Sequence, residues 1–423
     1  MERTSVELFA GGGGLVQAST NAGFRHLLVS ELAPRACETL EANGFEGYDE
    51  GTPSRVLAES TRTPLARGDV RRLDMRFLKE REVDLLAGGP PCQPFSLGGV
   101  AKGDEDERNM FPEMFRAVRE IRPKAVICEN VRGLLRKSFE PYFEYIKREL
   151  SLPFLQRADS TWTDHDHALR ERIAADDTDP TMSYRVEAFP VNAADYGVPQ
   201  IRNRVILVAF RSDLKVDWKL FRDEVEETHS EDELINAYHG DAYWRNRTVT
   251  VPDHVRADVL DRYPARLPTN APRTRLPWRT LRDALEGLPE IDLKRLDKKT
   301  AQGGVADHVG WPGARIYKGH TPNELDRPAK TVKAGVHGVP GGESVMLLDK
   351  REKDPTAPGG FRYAHRYMTV RETARVMTFG DHWLLRGPRS ERMRQLGNAV
   401  PVQLGEVFAN AVRTTLDKAE VKP

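Results

Sequence analysis

The run Ser5-Val6-Glu7-Leu8-Phe9-Ala10 is followed by four consecutive glycines, Gly11 to Gly14, and then by an amphipathic stretch from Leu15 to about Ala22. A buried strand, a glycine turn and a helix, in that order, open the ligand site of doubly wound α/β sheets. Glycine serves where backbone must approach a ligand, because no Cβ stands between them. The spacing departs from the dinucleotide fingerprint. Counted from Gly11, the third glycine of G-x-G-x-x-G falls on Val16; counted from Gly12, it falls on Gln17. The turn therefore suits a nucleoside cofactor without a pyrophosphate, a plain tight turn being the alternative.

The same alternation continues. His26 to Glu31 reads as a second strand ending in a carboxylate, placed to accept ribose hydroxyls. Ala33 to Asn43 reads as a helix stopped by Gly44, and Gly68-Asp69-Val70 places another acid at a strand end, suited to an adenine amino group. Val83 to Ala87 is a short apolar run, followed by Gly88-Gly89-Pro90-Pro91-Cys92-Gln93-Pro94-Phe95-Ser96. Two glycines end the strand, two prolines stiffen the turn, and a thiol follows at the sheet edge where ligands bind. Cys92 is thus a candidate nucleophile, with a buried packing cysteine as the other reading. Leu97 to Arg108 is glycine-rich and charged and reads as a loop. After a helix from Met110 to Ile121, the buried run Ala125 to Cys128 closes on Glu129-Asn130-Val131. If the two strands are neighbours, Glu129 faces Cys92 across one cleft.

The 423 residues suggest two domains or three, and the 64 basic and 64 acidic side chains cancel. Binding of nucleic acid would then need a local basic face. Three cysteines make neither a disulfide framework nor a four-thiolate zinc site. Cys37 and Cys128 read as packing residues. With no leader-like segment before the first strand and no membrane-length apolar run, a prokaryotic cytoplasmic location is expected.

Three features occur together and in order: an opening Phe-x-Gly-x-Gly-Gly-like turn, a strand-end Pro-Cys-Gln and a strand-end Glu-Asn-Val. Downstream come Gln200-Ile201-Arg202-Asn203-Arg204, Arg371 to Met377, and Gln395-Leu396-Gly397-Asn398-Ala399-Val400-Pro401. Together these resemble the C5-cytosine DNA methyltransferase family over about residues 4–150, 184–210 and 364–418. The resemblance implies a doubly wound, mostly parallel seven-stranded sheet of the class I S-adenosylmethionine-dependent type, with a smaller target-recognition domain. The expected bounds are 1–210 for the catalytic domain, 211–363 for target recognition and 364–423 for a C-terminal segment whose last helix, Val402 to Lys418, returns to the catalytic domain.

The resemblance also implies roles. Cys92 would add to carbon 6 of a flipped-out cytosine, Glu129 would bind ring nitrogen 3 and the exocyclic amine, Arg204 would contact the base carbonyl, and Arg202 would hold the site. S-adenosyl-L-methionine would be contacted by Phe9, Gly11, Gly13, Glu31, Asp69, Val70, Pro91, Asn398 and Ala399, the last standing where some relatives carry Ser. Gln93 and Ser96 would face double-stranded DNA. Arg245, Arg273 and Arg275 belong to an arginine-rich stretch with few acids nearby, suited to phosphate and guanine contacts, a generic charged surface being the other reading. A monomer, with a cognate restriction endonuclease acting on the same site, completes the expectation. A tRNA cytosine-C5 methyltransferase is the alternative. Those relatives carry Cys-Phe-Thr after Glu-Asn-Val, whereas Arg132-Gly133-Leu134-Leu135-Arg136 stands here.

Residues 151–183 form a longer segment than the family usually has, with a short helix expected from Leu169 to Ala175. Its Asp164-His165-Asp166-His167 has a metal-like look but reads as a solvated charged surface.

Overall fold

The computed structural model describes residues 2–91, 109–245, 247–266, 274–296, 300–317, 321–334 and 344–421. Cys92, Gln93, Ser96 and Arg273 lie outside the described residues. The chain divides into two compact units: Met1–Val191, Asn203–Glu226 and Leu404–Pro423 form the first, Asn192–Arg202 and Glu227–Gln403 the second.

The first unit is built on a sheet of β1 (Arg3–Leu8), β2 (Phe24–Glu31), β3 (Glu46–Tyr48), β4 (Pro64–Arg67), β5 (Leu85–Gly88), β6 (Ala125–Val131), β7 (Tyr184–Asn192) and β8 (Asn203–Arg211). Their order is β3-β4-β2-β1-β5-β6-β8-β7. Pairings from β3 through β6 are parallel, and β8 runs antiparallel to β6. The described sheet has eight strands where seven were expected. The additional edge strand β3 spans three residues, too few for an alternating pattern to show in sequence. Near-continuous burial along β1, β5 and β6 fits a parallel sheet covered on both faces, and it explains the apolar runs Leu85–Ala87 and Ala125–Cys128.

The chain winds outward from β1 through β2 and β4, then returns to place β5 on the other side of β1. The order reverses at β1 and β5, and in open α/β sheets ligands bind beyond the strand ends at that reversal. Both candidate motifs sit there, the glycine turn after β1 and the Gly-Gly-Pro-Pro turn after β5.

Helices α1 (Gly14–Asn21), α2 (Pro34–Ala42), α3 (Ser54–Glu59), α4 (Phe111–Ile121), α5 (Glu140–Ser151), α6 (Trp162–Ala174) and α7 (Trp218–Glu224) also belong to this unit. From α4, Phe111, Met114, Phe115, Val118 and Ile121 are buried at helical spacing and join Val6, Leu86 and Val126 in one core. The terminal helix Val402–Val421 is held at its far end by charge. Arg3, 2% exposed, contacts Asp84 at 2.8 Å, Asp417 at 2.7 Å and Glu420 at 2.9 Å, while Lys124 reaches Asp84 and Glu420.

The 151–183 segment departs from expectation. Helix α6 begins at Trp162, capped reciprocally by Thr161 and Asp164, rather than at Leu169. Its histidines are not both solvated. His165 is buried between the Tyr145 hydroxyl at 3.1 Å and the Leu155 carbonyl at 2.8 Å, and Asp166 takes a two-pronged contact from Arg148. Only His167 faces outward. Trp162 packs edge-on to Tyr142, which gives α6 an aromatic seam against α5.

In the second unit, helices Glu231–His239 and Ala242–Arg245 meet around Tyr238, Tyr243 and Trp244. A hairpin pairs Val345–Lys353 with Phe361–Tyr367, and helices Val370–Val376 and Arg389–Asn398 follow. Among the described residues no helix is long and apolar enough to cross a membrane.

Candidate active site

At the end of β1, Phe9 adopts φ 56°, a left-handed conformation that costs a non-glycine residue about 1–3 kcal/mol and gathers at functional sites. Gly11 (φ 54°) and Gly13 (φ 91°) share that region, where glycine is at ease. A Cβ built on Gly11 would meet nothing within 4 Å, so the loop has an open face. Glu31, at the end of β2, fixes the loop. Its Oε2 accepts from Gly11 N at 2.6 Å and its Oε1 from Ala33 N at 2.7 Å. Burial raises the Glu31 carboxyl above the usual range, against the pull of these backbone donors. Each oxygen keeps acceptor capacity for a ligand hydroxyl.

Asp69 caps the short turn Val70–Arg72 through Arg71 N at 3.0 Å. Arg71 also binds its carboxylate at 2.5 Å and holds it below the ordinary range. Val70 is buried, and its carbonyl accepts from Arg116. A cavity of about 240 Å³ opens beside Asp69, bordered by Ser30, Tyr48, Ala66 and Gly68. Leu32, next to Glu31, is 64% exposed. Sequence reasoning passed over it, although a large apolar residue directly after a strand-end acid is the available signal.

The strands carrying the second motif pair are neighbours. Gly88 of β5 lies opposite Cys128 of β6, so Gly89, the residue after β5, comes beside Glu129, which is still paired with Ile206 of β8. The glycines are there for space. A Cβ on Gly88 would sit 2.9 Å from the Leu8 carbonyl and 3.1 Å from Met114 Sδ; one on Gly89 would sit 3.3 Å from Glu129 Oε2. Asn130 ties down the turn, donating from Nδ2 to the Pro90 carbonyl at 3.3 Å and accepting from Val131 N at 2.8 Å. Its place in Glu-Asn-Val was visible in the sequence, its role was not.

Glu129 Oε1 and Arg204 Nε lie 2.6 Å apart, with side chains 11% and 12% exposed. That oxygen has no aligned hydrogen-bond donor, so the pair is held by charge proximity. Arg204 arrives from β8, whose antiparallel register sets it opposite Val131. Its Nη1 donates to the Asn203 carbonyl at 2.8 Å. Of the chain's three cysteines, Cys37 and Cys128 are each 3% exposed, and burial pushes the Cys37 thiol up to about 12. Neither is placed to attack a ligand.

Arg202, expected at the catalytic site, belongs to the second unit and is 1% exposed. Its guanidinium donates to the carbonyls of Val332 (3.0 Å), Gly397 (2.9 Å) and Ala399 (2.9 Å). It thereby fixes the turn containing Asn398 and Ala399 at the end of helix Arg389–Asn398. Gly397 is obligatory there, since a Cβ would fall 2.4 Å from Ala334 N. The arginine-rich stretch, which has few acids nearby in sequence, is supplied with them by the fold. Arg245 pairs with Asp241, Arg275 with Glu227, Arg262 with Glu324, Arg266 with Glu231 and Arg282 with Asp326 and Asp349. Most of these acids are distant in sequence, which is why the stretch looked unbalanced.

The family model of the C-5 cytosine-specific DNA methylase matches residues 3–152 and 180–414. The chain belongs to this family. The unmatched interval between the two matches contains α6. Two relatives of this methylase are the Type II methyltransferases M.Eco47II of Escherichia coli, 29% identical across 98% of this chain and 80% of its own, and M.NgoMIV of Neisseria gonorrhoeae, 27% identical across 99% of both. The Dnmt2 methyltransferase of S. pombe shares the fold, with TM-score 0.53 and 15% identity across 98% of this chain and 99% of its own. The protein is therefore a DNA (cytosine-5-)-methyltransferase.

Proposed function

We propose that this enzyme methylates cytosine within a specific duplex sequence by way of a Cys92 adduct, with S-adenosyl-L-methionine as donor. The observation that carries the reading is the Glu129–Arg204 pair beside Gly89, at the sheet edge from which β5 leads through Pro90 and Pro91 to Cys92.

Carbon 5 of cytosine is a weak nucleophile. Addition of the Cys92 thiolate to carbon 6 turns the ring enamine-like, and a thiol suits the step because it attacks readily and leaves again. Glu129 supports protonation at ring nitrogen 3 as the sulfur adds, while Arg204 orients that carboxylate and meets the base carbonyl. Once carbon 5 carries the methyl group, transfer of its proton to a base, water being the candidate, returns the electron pair that expels Cys92 as thiolate. The base must leave the helical stack first, at a cost of a few kcal/mol.

The first unit's residues fit the donor. The open face of Gly11, the remaining acceptor capacity of Glu31 and the capped Asp69 present a cradle for a nucleoside, with Leu32 offering an apolar surface to a flat base. When bound, S-adenosyl-L-methionine supplies an electrophilic methyl group on a charged sulfur. The Type II relatives support a modification role beside an endonuclease of the same specificity. Labelled methyl incorporation into duplex DNA but not into tRNA is the expected result; the reverse would favour the tRNA reading. Bisulfite sequencing of DNA from expressing cells would then give the target sequence.

A further inference from the structure

Most arginines of the second unit are matched by a carboxylate, but Arg389 is not. It opens helix Arg389–Asn398, and among the described residues no acid lies within ion-pair distance of it. Its guanidinium lies 4.8 Å from the ring centre of Trp311 and 5.8 Å from that of Tyr367. One terminal nitrogen donates to the Met368 carbonyl at 3.2 Å, and the buried Nε has no acceptor. Burial without a compensating acid draws its pKa down to about 10. The contrast with Arg282 is instructive, because that guanidinium is sealed by Asp326 and Asp349.

A desolvated cation with neither a counter-charge nor more than one acceptor costs free energy that an architectural arginine such as Arg202, which donates to three carbonyls, avoids. Its position over an indole recovers part of it and leaves the charge for a ligand. A planar donor fork matches the oxygens of a phosphodiester, and arginine is the usual residue for such contacts. Trp311 begins the exposed stretch Pro312-Gly313, and Arg315 and Arg386 nearby in sequence are exposed. We propose that Arg389, held over Trp311, clamps a backbone phosphate of the DNA substrate. The proposal rests on the DNA reading above and adds an anchoring contact that carries no sequence preference.

The test compares the full-length wild type with Arg389→Gln and Arg389→Lys, titrating a fluorescent duplex of mixed sequence at several salt concentrations. One lost phosphate contact lowers the slope of log affinity against log salt by about 0.9. Arg389→Gln is expected to show that decrease, with weaker binding at every sequence, and Arg389→Lys to restore the slope. An unchanged slope in a folded Arg389→Gln protein would overturn the clamp. No salt-dependent duplex binding by the wild type would instead defeat the DNA reading itself. Should Arg389→Gln fail to fold, phenylglyoxal modification of the wild type decides. Duplex DNA is expected to slow labelling at Arg389 several-fold, and equal rates with and without DNA would contradict the proposal.

Discussion

Gly88 and Gly89 are adjacent and chemically identical, yet their surroundings assign them different work. The Cβ position of Gly88 faces a backbone carbonyl that cannot move aside, at 2.9 Å; that of Gly89 faces a carboxylate, at 3.3 Å. Gly88→Ala is therefore expected to cost about 1–3 kcal/mol by overpacking and to lower the melting temperature. Gly89→Ala should leave melting within about 2 °C of wild type, since only a side-chain tip must shift. Displacing Glu129 should nevertheless cut kcat about 10–100-fold, because misplacing a catalytic group by a fraction of an ångström is expensive. Melting curves and methyl-transfer kinetics on the two variants separate these outcomes; equal loss of kcat with equal loss of stability would show that Gly89 has no special relation to the carboxylate. Sequence placed both glycines at a strand end and could not rank them, because the neighbours that distinguish them come from β1 and β6.

At the scale of the element, β1 and α1 enclose an acid that periodicity did not reveal. Glu7, next to last in β1, is fully buried; Ser19 of α1 donates to its Oε1 at 2.7 Å, and its Oε2 has no hydrogen-bond partner among the described residues. Burial pushes this carboxyl up to about 8. An unfolded glutamate titrates near about 4.3, so between the two values the native state holds a proton that the unfolded chain has released. This group's contribution to stability therefore falls as pH rises from about 4.3 to 8 and levels off above. Glu7→Gln should melt near wild type at pH 4 and progressively above it towards pH 8; a constant difference across that range would show that Glu7 is ionised in the fold. His26 of β2 behaves oppositely at the acid side. Burial draws it down to about 4 between Ser5 and Thr20, so its contribution is lost as pH falls from the unfolded value near about 6.5 towards 4. β5 and β6 were legible from the apolar runs Leu85–Ala87 and Ala125–Cys128, as strands covered on both faces require. β1 mixes polar and apolar residues, and nothing in that pattern tells a buried Glu7 from an exposed one.

At the scale of the whole molecule, the ends of the chain are joined by Arg3. Removing it leaves Asp84, 7% exposed, with Lys124 as its remaining cation, and releases the last turn of the terminal helix. Arg3→Ala is expected to cost about 3–5 kcal/mol. Arg3 and Lys124 hold the Glu420 carboxyl down to about 2, so that stabilisation is present above about pH 4.3 and fades as pH falls towards 2. The variant's stability should accordingly fall less steeply with acid than the wild type's, as pH-dependent denaturant titrations would show. The catalytic half was legible because its motifs sit at strand ends in a fixed order. The arginine partners, the inward turn of His165 and the carbonyls that Arg202 holds were not, because each depends on groups brought together only by folding. The central claim is that one sulfur, that of Cys92, bonds to the target base. Wild type and Cys92→Ala should be incubated with S-adenosyl-L-methionine and duplex DNA carrying 5-fluorocytosine, then resolved under denaturing conditions and mapped by mass spectrometry. A covalent complex at Cys92 in the wild type and none in the variant is the predicted result; a complex that persists in Cys92→Ala, or that maps to Cys37 or Cys128, would contradict it.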